Sequence, residues 1–498
     1  MSIKSLLSKY YAAFLVGKMR KAVLFPKESQ EKVFNNLIFN GKKTLFGKDH
    51  EFEKIDSYDD FKERVPLTDY ESLIPYIERV RKGESDILWP GKPIYFCKTS
   101  GTTSGAKFIP ITKESIHNHI DSAKLALLSY IDETGKTDFV DGKMIFLQGS
   151  PTLNTSEAVK SGRLSGIVAH HVPSYLQKNR MPSFETNCID DWETKVDAIV
   201  GETQNEDMRL ISGIPSWVQM YFERLLDSSE NQDIKSIFPN FSLFVYGGVN
   251  YNPYRPIFKK LMGGEIDSIE TYPASEGFIA FQDFQNEEGL LLVINNGIFY
   301  EFIPIEEAHV ENPTRLNLNQ VELDKNYAIV LNTNAGLWGY VIGDLVKFVS
   351  LKPYRVIVSG RIKHFTSAFG EHVIAEEVEG AIKDGLKLSG ARLKEFHVAP
   401  QVSPSEGLPY HEWFIEFEKE PSDLNEFITS VDLALQNKNP YYKDLIQGNI
   451  LQPLIVTKIK AGGFVSFMKS RGKLGGQNKV PRLANDRVLA DELKDYEA

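Results

Sequence analysis

Thr99-Ser100-Gly101-Thr102-Thr103-Ser104-Gly105-Ala106-Lys107 is the stretch on which the reading of the chain turns. It follows directly on an apolar run, Pro93-Ile94-Tyr95-Phe96-Cys97-Lys98, that reads as a short strand. Glycines let a backbone approach an anion closely. Free amides, hydroxyls and an ammonium then neutralise phosphate oxygens. The pattern is not a Walker loop, because Phe108 follows Lys107 and Pro110 stands where a helix would begin. Taken alone, the stretch fits a flexible surface loop equally well.

Outward from this loop, strand and helix signals alternate. Ile116, Ile120, Ala123, Leu127 and Leu128 recur at helical spacing and predict a helix over Glu114 to Tyr130. Residues 143–148 form a candidate buried strand. Residues 208–226 read as strand, turn at Gly213 and helix from Pro215. Residues 241–262 repeat that scheme around Gly247 and Gly248, and 266–272 is a further strand. Residues 290–303 and 327–350 look like hairpin-rich β structure. Toward the N-terminus, 24–88 reads as mostly helical, broken at Pro26, Gly41 and Pro66. Ile3 to Lys21 is expected to be an amphipathic helix covering the body of the protein.

The alternation predicts an α/β fold. A change of character comes near residue 360. A helix is expected at about 375–388, a strand pair at about 394–400 and 411–418, and a helix at about 422–437. We therefore expect a large domain over 1–360 and a small α+β domain over 361–498, with the boundary at 359–363. At 498 residues the chain exceeds what one hydrophobic core serves.

Bulk composition excludes several classes. Lys plus Arg is 57 against 67 Asp plus Glu, a net charge of −10, which argues against a nucleic-acid partner. Two cysteines, Cys97 and Cys188, argue against a disulfide framework or a zinc cluster and fit the cytoplasm. No run approaches the ~18 apolar residues of a membrane span, so no membrane partner is expected. The apolar stretch Tyr10–Gly17 is too short for a signal peptide. A monomer or dimer is expected.

Four further loops carry chemistry-bearing residues. In Thr271-Tyr272-Pro273-Ala274-Ser275-Glu276-Gly277, a tyrosine at a strand end suits stacking on a base, and a carboxylate four residues later suits a metal bridging phosphates. In Gly339-Tyr340-Val341-Ile342-Gly343-Asp344, an acid after a glycine suits two ribose hydroxyls. Each is an ordinary turn if taken alone. Ser359-Gly360-Arg361-Ile362-Lys363 lies at the expected boundary. Arg471 to Arg482 interleaves cations with glycines, which suits an anion-seeking loop or a solvated basic tail.

In this order the loops resemble those of the adenylate-forming superfamily of acyl- and aryl-CoA ligases, luciferases and peptide-synthetase adenylation domains. The finer resemblance is to the auxin-responsive acyl-acid amido synthetases, the Gretchen Hagen family. Its phosphate loop is matched by Thr99 to Lys107, its Tyr-x-x-Ser-Glu motif by Tyr272 to Glu276, and its Tyr-x-x-Gly-Asp motif by Tyr340 to Asp344. Gly213-Ile214-Pro215-Ser216-Trp217 and Gln477-x-Lys479-x-Pro481-Arg482 extend the likeness over nearly the whole chain. Thr99 stands where the family usually has serine, a swap that keeps the hydroxyl. Gly360-Arg361-Ile362-Lys363 looks more like the hinge of the wider superfamily.

The resemblance implies a large adenylate-forming domain, part of it barrel-like, plus a small mobile one. It implies ATP and Mg²⁺, a carboxylic acid as substrate, and an amine, such as an amino acid, as acceptor. Ser100, Gly101, Thr102, Thr103, Ser104, Gly105 and Lys107 would then contact phosphates, and Glu276 would hold the metal. Tyr272 would stack on adenine beside Gly247, Gly248 and Ser275, and Asp344 would bind ribose. Lys479 is the candidate for the lysine that approaches the α-phosphate, with Lys363 competing, and Arg361 to Lys363 would be the hinge. The acyl pocket is expected between the 115–130 helix and the 208–222 segment, with His117, Arg163, His170 and His171 as possible contacts. A CoA ligase using the same adenylate, or a non-catalytic nucleotide-binding protein, are the alternatives.

Overall fold

The computed structural model describes the whole chain except residues 1, 101–105, 173–176, 190, 248–250, 252–253, 309, 363–372, 402–403, 448–450, 473–479 and 485. Its contacts divide it into two compact units. One comprises Met1–Ile342 with Lys347–Ile357, the other Gly343–Val346 with Val358–Ala498.

The main helices are α1 (Ile3–Leu24), α2 (Pro26–Gly41), α3 (Tyr70–Arg81), α4 (Lys113–Thr134), α5 (Pro215–Asp227), α6 (Arg255–Met262), α7 (Ala375–Ser389) and α8 (Leu424–Lys438). The first strands are β1 (Tyr95–Ser100), β2 (Ala106–Ile111), β3 (Lys143–Phe146), β4 (Lys160–Gly162), β5 (Arg180–Met181), β6 (Met208–Ser212), β7 (Leu243–Gly247), β8 (Asp267–Ala274) and β9 (Gly277–Phe281). Then come β10 (Leu290–Leu292), β11 (Ile298–Pro304), β12 (Leu316–Asn317), β13 (Asn326–Thr333), β14 (Tyr340–Leu351) and β15 (Tyr354–Arg361). The last are β16 (Arg392–Gln401), β17 (Tyr410–Lys419) and β18 (Ile455–Lys458).

Among the described residues, a 12-stranded sheet runs in the order β12-β11-β13-β14-β15-β10-β9-β8-β7-β6-β3-β5. Strands β3, β6, β7 and β8 pair in parallel, joined through helices that include α5 and α6, whereas β8 turns back antiparallel into β9. Pro215 opens α5 and Pro256 lies in the first turn of α6, positions where the missing N–H costs nothing. Gly263 ends α6 with φ +74°. An aromatic cluster of Phe222, Phe244, Tyr251 and Phe258 cements these helices to the strands. The α/β expectation is met.

A smaller sheet, β2-β1-β4, holds the loop that opened the sequence reading. There the reading was incomplete. The chain does not pass from loop to helix but returns as β2, antiparallel to β1, before Thr112 caps α4. Pro110 is no obstacle at the outer strand of that sheet.

Helix α4 carries His119, which is buried and whose Nδ1 has no hydrogen-bond partner. Burial pushes its imidazole down to about 4 from the ordinary 6.5. A neutral buried histidine stabilises the fold above the unfolded value, and the contribution is lost as pH falls toward the folded one. About 3 kcal/mol should disappear between pH 6.5 and 4. Thermal melts at pH 7 and pH 4.5 check this: the gap between them should narrow in His119→Met.

The second unit has its own core. Strand β16 pairs antiparallel with β17, and β17 in parallel with β18. Helices α7 and α8 pack together, with Val378, Ile382, Val431 and Leu435 inside. The expected helix, strand pair and second helix are present, and β18 and further short helices, which were not foreseen, complete the unit.

Candidate active site

The register Thr99↔Lys107 and Ser100↔Ala106 fixes both stems of loop 101–105. Below the stems, Phe96, Cys97, Ile109 and Ile111 are buried. Lys107 stands with its ammonium 5.6 Å from the centroid of the Tyr70 ring. The Tyr70 hydroxyl accepts a hydrogen bond from the Phe108 amide at 2.9 Å, which ties β2 to the start of α3. Asp69 caps that helix by accepting from the Ser72 amide at 2.9 Å, and Ser72 answers by accepting from the Asp69 amide. Burial opposes ionisation of Asp69. The Ser72 hydrogen bonds and the Lys107 ammonium outweigh it and hold the carboxyl below its usual range.

The second motif is a tight hairpin. Ala274 pairs with Gly277, so Ser275 and Glu276 are the two loop residues between β8 and β9. A Cβ at Gly277 would stand 2.5 Å from the tip of the Ile298 side chain, so the glycine leaves that side chain its place on β11. The Cys97 thiol donates to the Ser275 hydroxyl at 3.2 Å and joins the turn to β1. Burial pushes that thiol up to about 12, and the Glu276 carboxylate adds to the effect. Tyr340 feels the same charges. Its phenol is pushed upward by burial and then by Glu276 and Asp69.

Lys107, Asp69, Tyr340 and Glu276 therefore form one electrostatic neighbourhood beside the stems of the hairpin. Sequence reading had named Lys107 and Glu276 as candidates. It missed Asp69 and Tyr70, whose signal is the Asp-x-x-Ser cap ahead of a helical pattern. It also missed the phenol of Tyr340, quoted in its motif but given no role. Asp69→Ala should lower the affinity for nucleotide phosphates by about three- to tenfold, since α3 loses the cap that sets Tyr70 against β2 and Lys107. Titration calorimetry with ATP measures the change.

Tyr272 is buried in β8 opposite Ala280. Gly247 ends β7, where a Cβ would come 2.5 Å from the Thr271 carbonyl oxygen, so the missing side chain makes room for β8. The Gly339–Tyr340 corner is pinned by the Thr68 amide donating to Gly339 at 2.8 Å and the Val341 amide donating to Thr68 at 2.9 Å. Asp344 is buried in β14 and follows Gly343, whose φ of +87° is a glycine conformation. Arg361 is the last residue of β15. Residues Gly101, Thr102, Thr103, Ser104, Gly105, Gly248, Lys363 and Lys479 lie outside the described residues, and so does the side chain of Ser100.

The chain beyond Lys479 is held firmly within its own unit. The Val398 amide donates to Arg482 at 3.0 Å and the Ala484 amide donates back to Val398 at 2.9 Å. The Arg482 guanidinium lies 3.1 Å from Glu395 and stacks 4.6 Å from the Phe396 ring centroid.

Of the possible acyl contacts, His171 lies edge-on to Tyr95 of β1 at 5.6 Å. Its imidazole is held down by burial and then by His117 and His170, which places the three histidines together. His170 bonds the Pro151 carbonyl at 2.9 Å, and Arg163 is exposed. Among the described residues no group of three or more His, Cys, Asp or Glu is arranged to hold a metal ion.

The paired strands β1 and β2, the carboxylate turn between β8 and β9 and a second compact unit belong to a fold shared with adenylate-forming ligases. A 2-hydroxyisobutyryl-CoA ligase superposes with a TM-score of 0.59 at 12% identity, over 95% of this chain and 92% of that one. The GH3.15 acyl acid amido synthetase superposes with 0.79 at 15% identity, over 97% and 96%. The chain belongs to the GH3 family: its N-terminal domain matches residues 16–266, its central domain 291–361 and its C-terminal domain 376–488. Indole-3-acetic acid-amido synthetase GH3.3 of Arabidopsis thaliana is 21% identical, over 93% of this chain and 90% of its own length. Jasmonoyl-L-amino acid synthetase JAR4 of Nicotiana attenuata is 25% identical, over 58% of this chain and 60% of its own length.

Proposed function

We propose that this protein is an ATP-dependent acyl acid amido synthetase, which activates a small carboxylic acid as its adenylate and passes the acyl group to an amino acid. The observation that carries the reading is the meeting of Lys107, Asp69, Tyr340 and the Glu276 turn beside the hydroxyl-rich hairpin, in a chain that belongs to the GH3 family.

The first half-reaction brings a carboxylate to the α-phosphorus of ATP, so two anions must be neutralised and aligned. Loop 99–105 and Lys107 take that role toward the β- and γ-phosphates. Asp69, as the cap of α3, sets Tyr70 against β2 and Lys107. Tyr272, Gly247, Gly248 and Ser275 form the adenine side, and Asp344 binds the ribose hydroxyls. A single carboxylate at a turn suits Mg²⁺, which takes one or two protein carboxylates together with phosphate oxygens, and Glu276 fits that demand. Bound there, the ion would screen phosphate charge. Lys479 is the candidate for the lysine that approaches the α-phosphate, with Lys363 competing; the Arg482 segment that follows Lys479 is anchored to β16. Lys363 and Arg361 belong to the hinge at 359–363, between a large domain over 1–360 and a small one over 361–498. In the second half-reaction the amine attacks the acyl carbon and AMP leaves.

His117, His170 and His171 beside β1 favour an acid whose second polar group reaches an imidazole. Two free cysteines suit a reducing cytoplasm. The fold likeness to a CoA ligase keeps one second reading, in which the acceptor is CoA. Mass spectrometry of reactions given an acid, Mg·ATP and either amino acids or CoA separates them. Amide with amino acids and no thioester is the expected result; thioester alone would overturn the assignment of acceptor.

A further inference from the structure

Helix α1 was expected to bury one apolar face and show a polar one. It has two apolar faces. Ala12, Val16 and Met19 are buried, along the side that packs on α4. On the opposite side Ile3, Leu7, Tyr10 and Phe14 follow at helical spacing and are between 58% and 79% exposed. Leu6 and Tyr11 flank this stripe, each 48% exposed. A helix apolar on both faces needs a second apolar partner, and its outer face has none among the described residues.

The charge on α1 identifies that partner. Its 22 residues carry Lys4, Lys9, Lys18, Arg20 and Lys21 and no acid, in a chain whose net charge is −10. Lys18 and Lys21 lie at the C-terminal end of the exposed stripe, with the Lys18 ammonium 4.2 Å from the Phe14 ring centroid. Two acids that meet α1 are engaged: Asp132 pairs with Arg20 at 2.9 Å, and Asp141 accepts from Ser2 and Ser5. A second copy fits poorly, since a two-fold pairing of this face would set cation against cation with no acid on either helix.

We infer that α1 docks this protein peripherally on an anionic lipid surface. Its exposed stripe enters the headgroup boundary while Lys18, Lys21 and Lys4 meet lipid phosphates. The helix lies on such a surface and does not cross it, because no helix among the described residues is long and apolar enough to span. This revises the expectation that no membrane is a partner, and it is independent of the ligase reading.

Co-sedimentation of the full chain with vesicles tests it. The protein should pellet with phosphatidylglycerol–phosphatidylcholine vesicles at low salt, stay in solution with pure phosphatidylcholine, and be released by high salt. The double change Lys18→Glu with Lys21→Glu should lower vesicle affinity by about tenfold or more. Leu7→Ser with Phe14→Ser should abolish binding while melting temperature and ATP binding stay unchanged. Absence of binding to anionic vesicles at low salt overturns the inference. So does a dimer, in sedimentation equilibrium, that Leu7→Ser with Phe14→Ser dissociates.

Discussion

Glu276→Gln should lower carboxylate-dependent adenylate formation by about 10²-fold or more, with the fold and its melting temperature intact. The substitution keeps shape and removes charge. Glu276 is one of the two loop residues between β8 and β9, and the pairing of Ala274 with Gly277 that sets the turn does not depend on its side chain. On the proposed reading, what is lost is the carboxylate that would hold the divalent ion against the triphosphate. Charge-stabilising groups of this kind are worth about 10²- to 10³-fold in rate. Loss of the negative charge should also lower the pKa of the Cys97 thiol and the Tyr340 phenol, both of which Glu276 raises. Rapid-quench measurement of acyl-AMP reads the rate. A variant that forms adenylate at nearly the normal rate removes Glu276 from the site.

Arg315→Ala should destabilise the large unit by about 3–5 kcal/mol. Arg315 and Glu301 form a two-pronged ion pair, with bonds of 2.9 and 2.8 Å, and both side chains are buried. Tyr58 donates to the same carboxylate at 2.8 Å and Asn332 at 2.9 Å. Asn332 in turn accepts from the Gly339 amide at 2.6 Å, immediately before Tyr340. Removing the guanidinium strands a buried carboxylate at the base of the Tyr340 corner. Denaturant unfolding should show the loss, and Glu301→Leu with Arg315→Leu should recover most of it. A loss below about 1 kcal/mol would mean that the pair is effectively solvated.

The legible parts of the molecule were those whose physics is local. Helical spacing located α4, and Gly213–Pro215 and Gly247 marked strand ends correctly. Alternation at Trp413, Ile415 and Phe417 placed β17. The hydroxyl-glycine loop announced itself by composition. Its return strand did not, because Pro110 reads locally as a breaker and only a position at the outer strand makes it acceptable. Asp69 was invisible as a site residue because its partners are separated from it in sequence: Lys107 and Tyr340 reach it only through the hairpin and the Thr68–Tyr340 bridge. The outer face of α1 was also misread. The helix was expected to be amphipathic, with one face covering the body, and its second apolar face was not foreseen.

The central claim is that this chain makes acyl-adenylates, and carboxylate-dependent ATP–pyrophosphate exchange tests it most directly, run with Mg²⁺ over aryl, indolyl and fatty acids and without any amine. The account predicts exchange that requires the acid, is confined to one acid class, and falls with Glu276→Gln. Tight binding of Mg·ATP with no exchange for any acid in that panel would contradict it and leave a nucleotide-binding protein in its place.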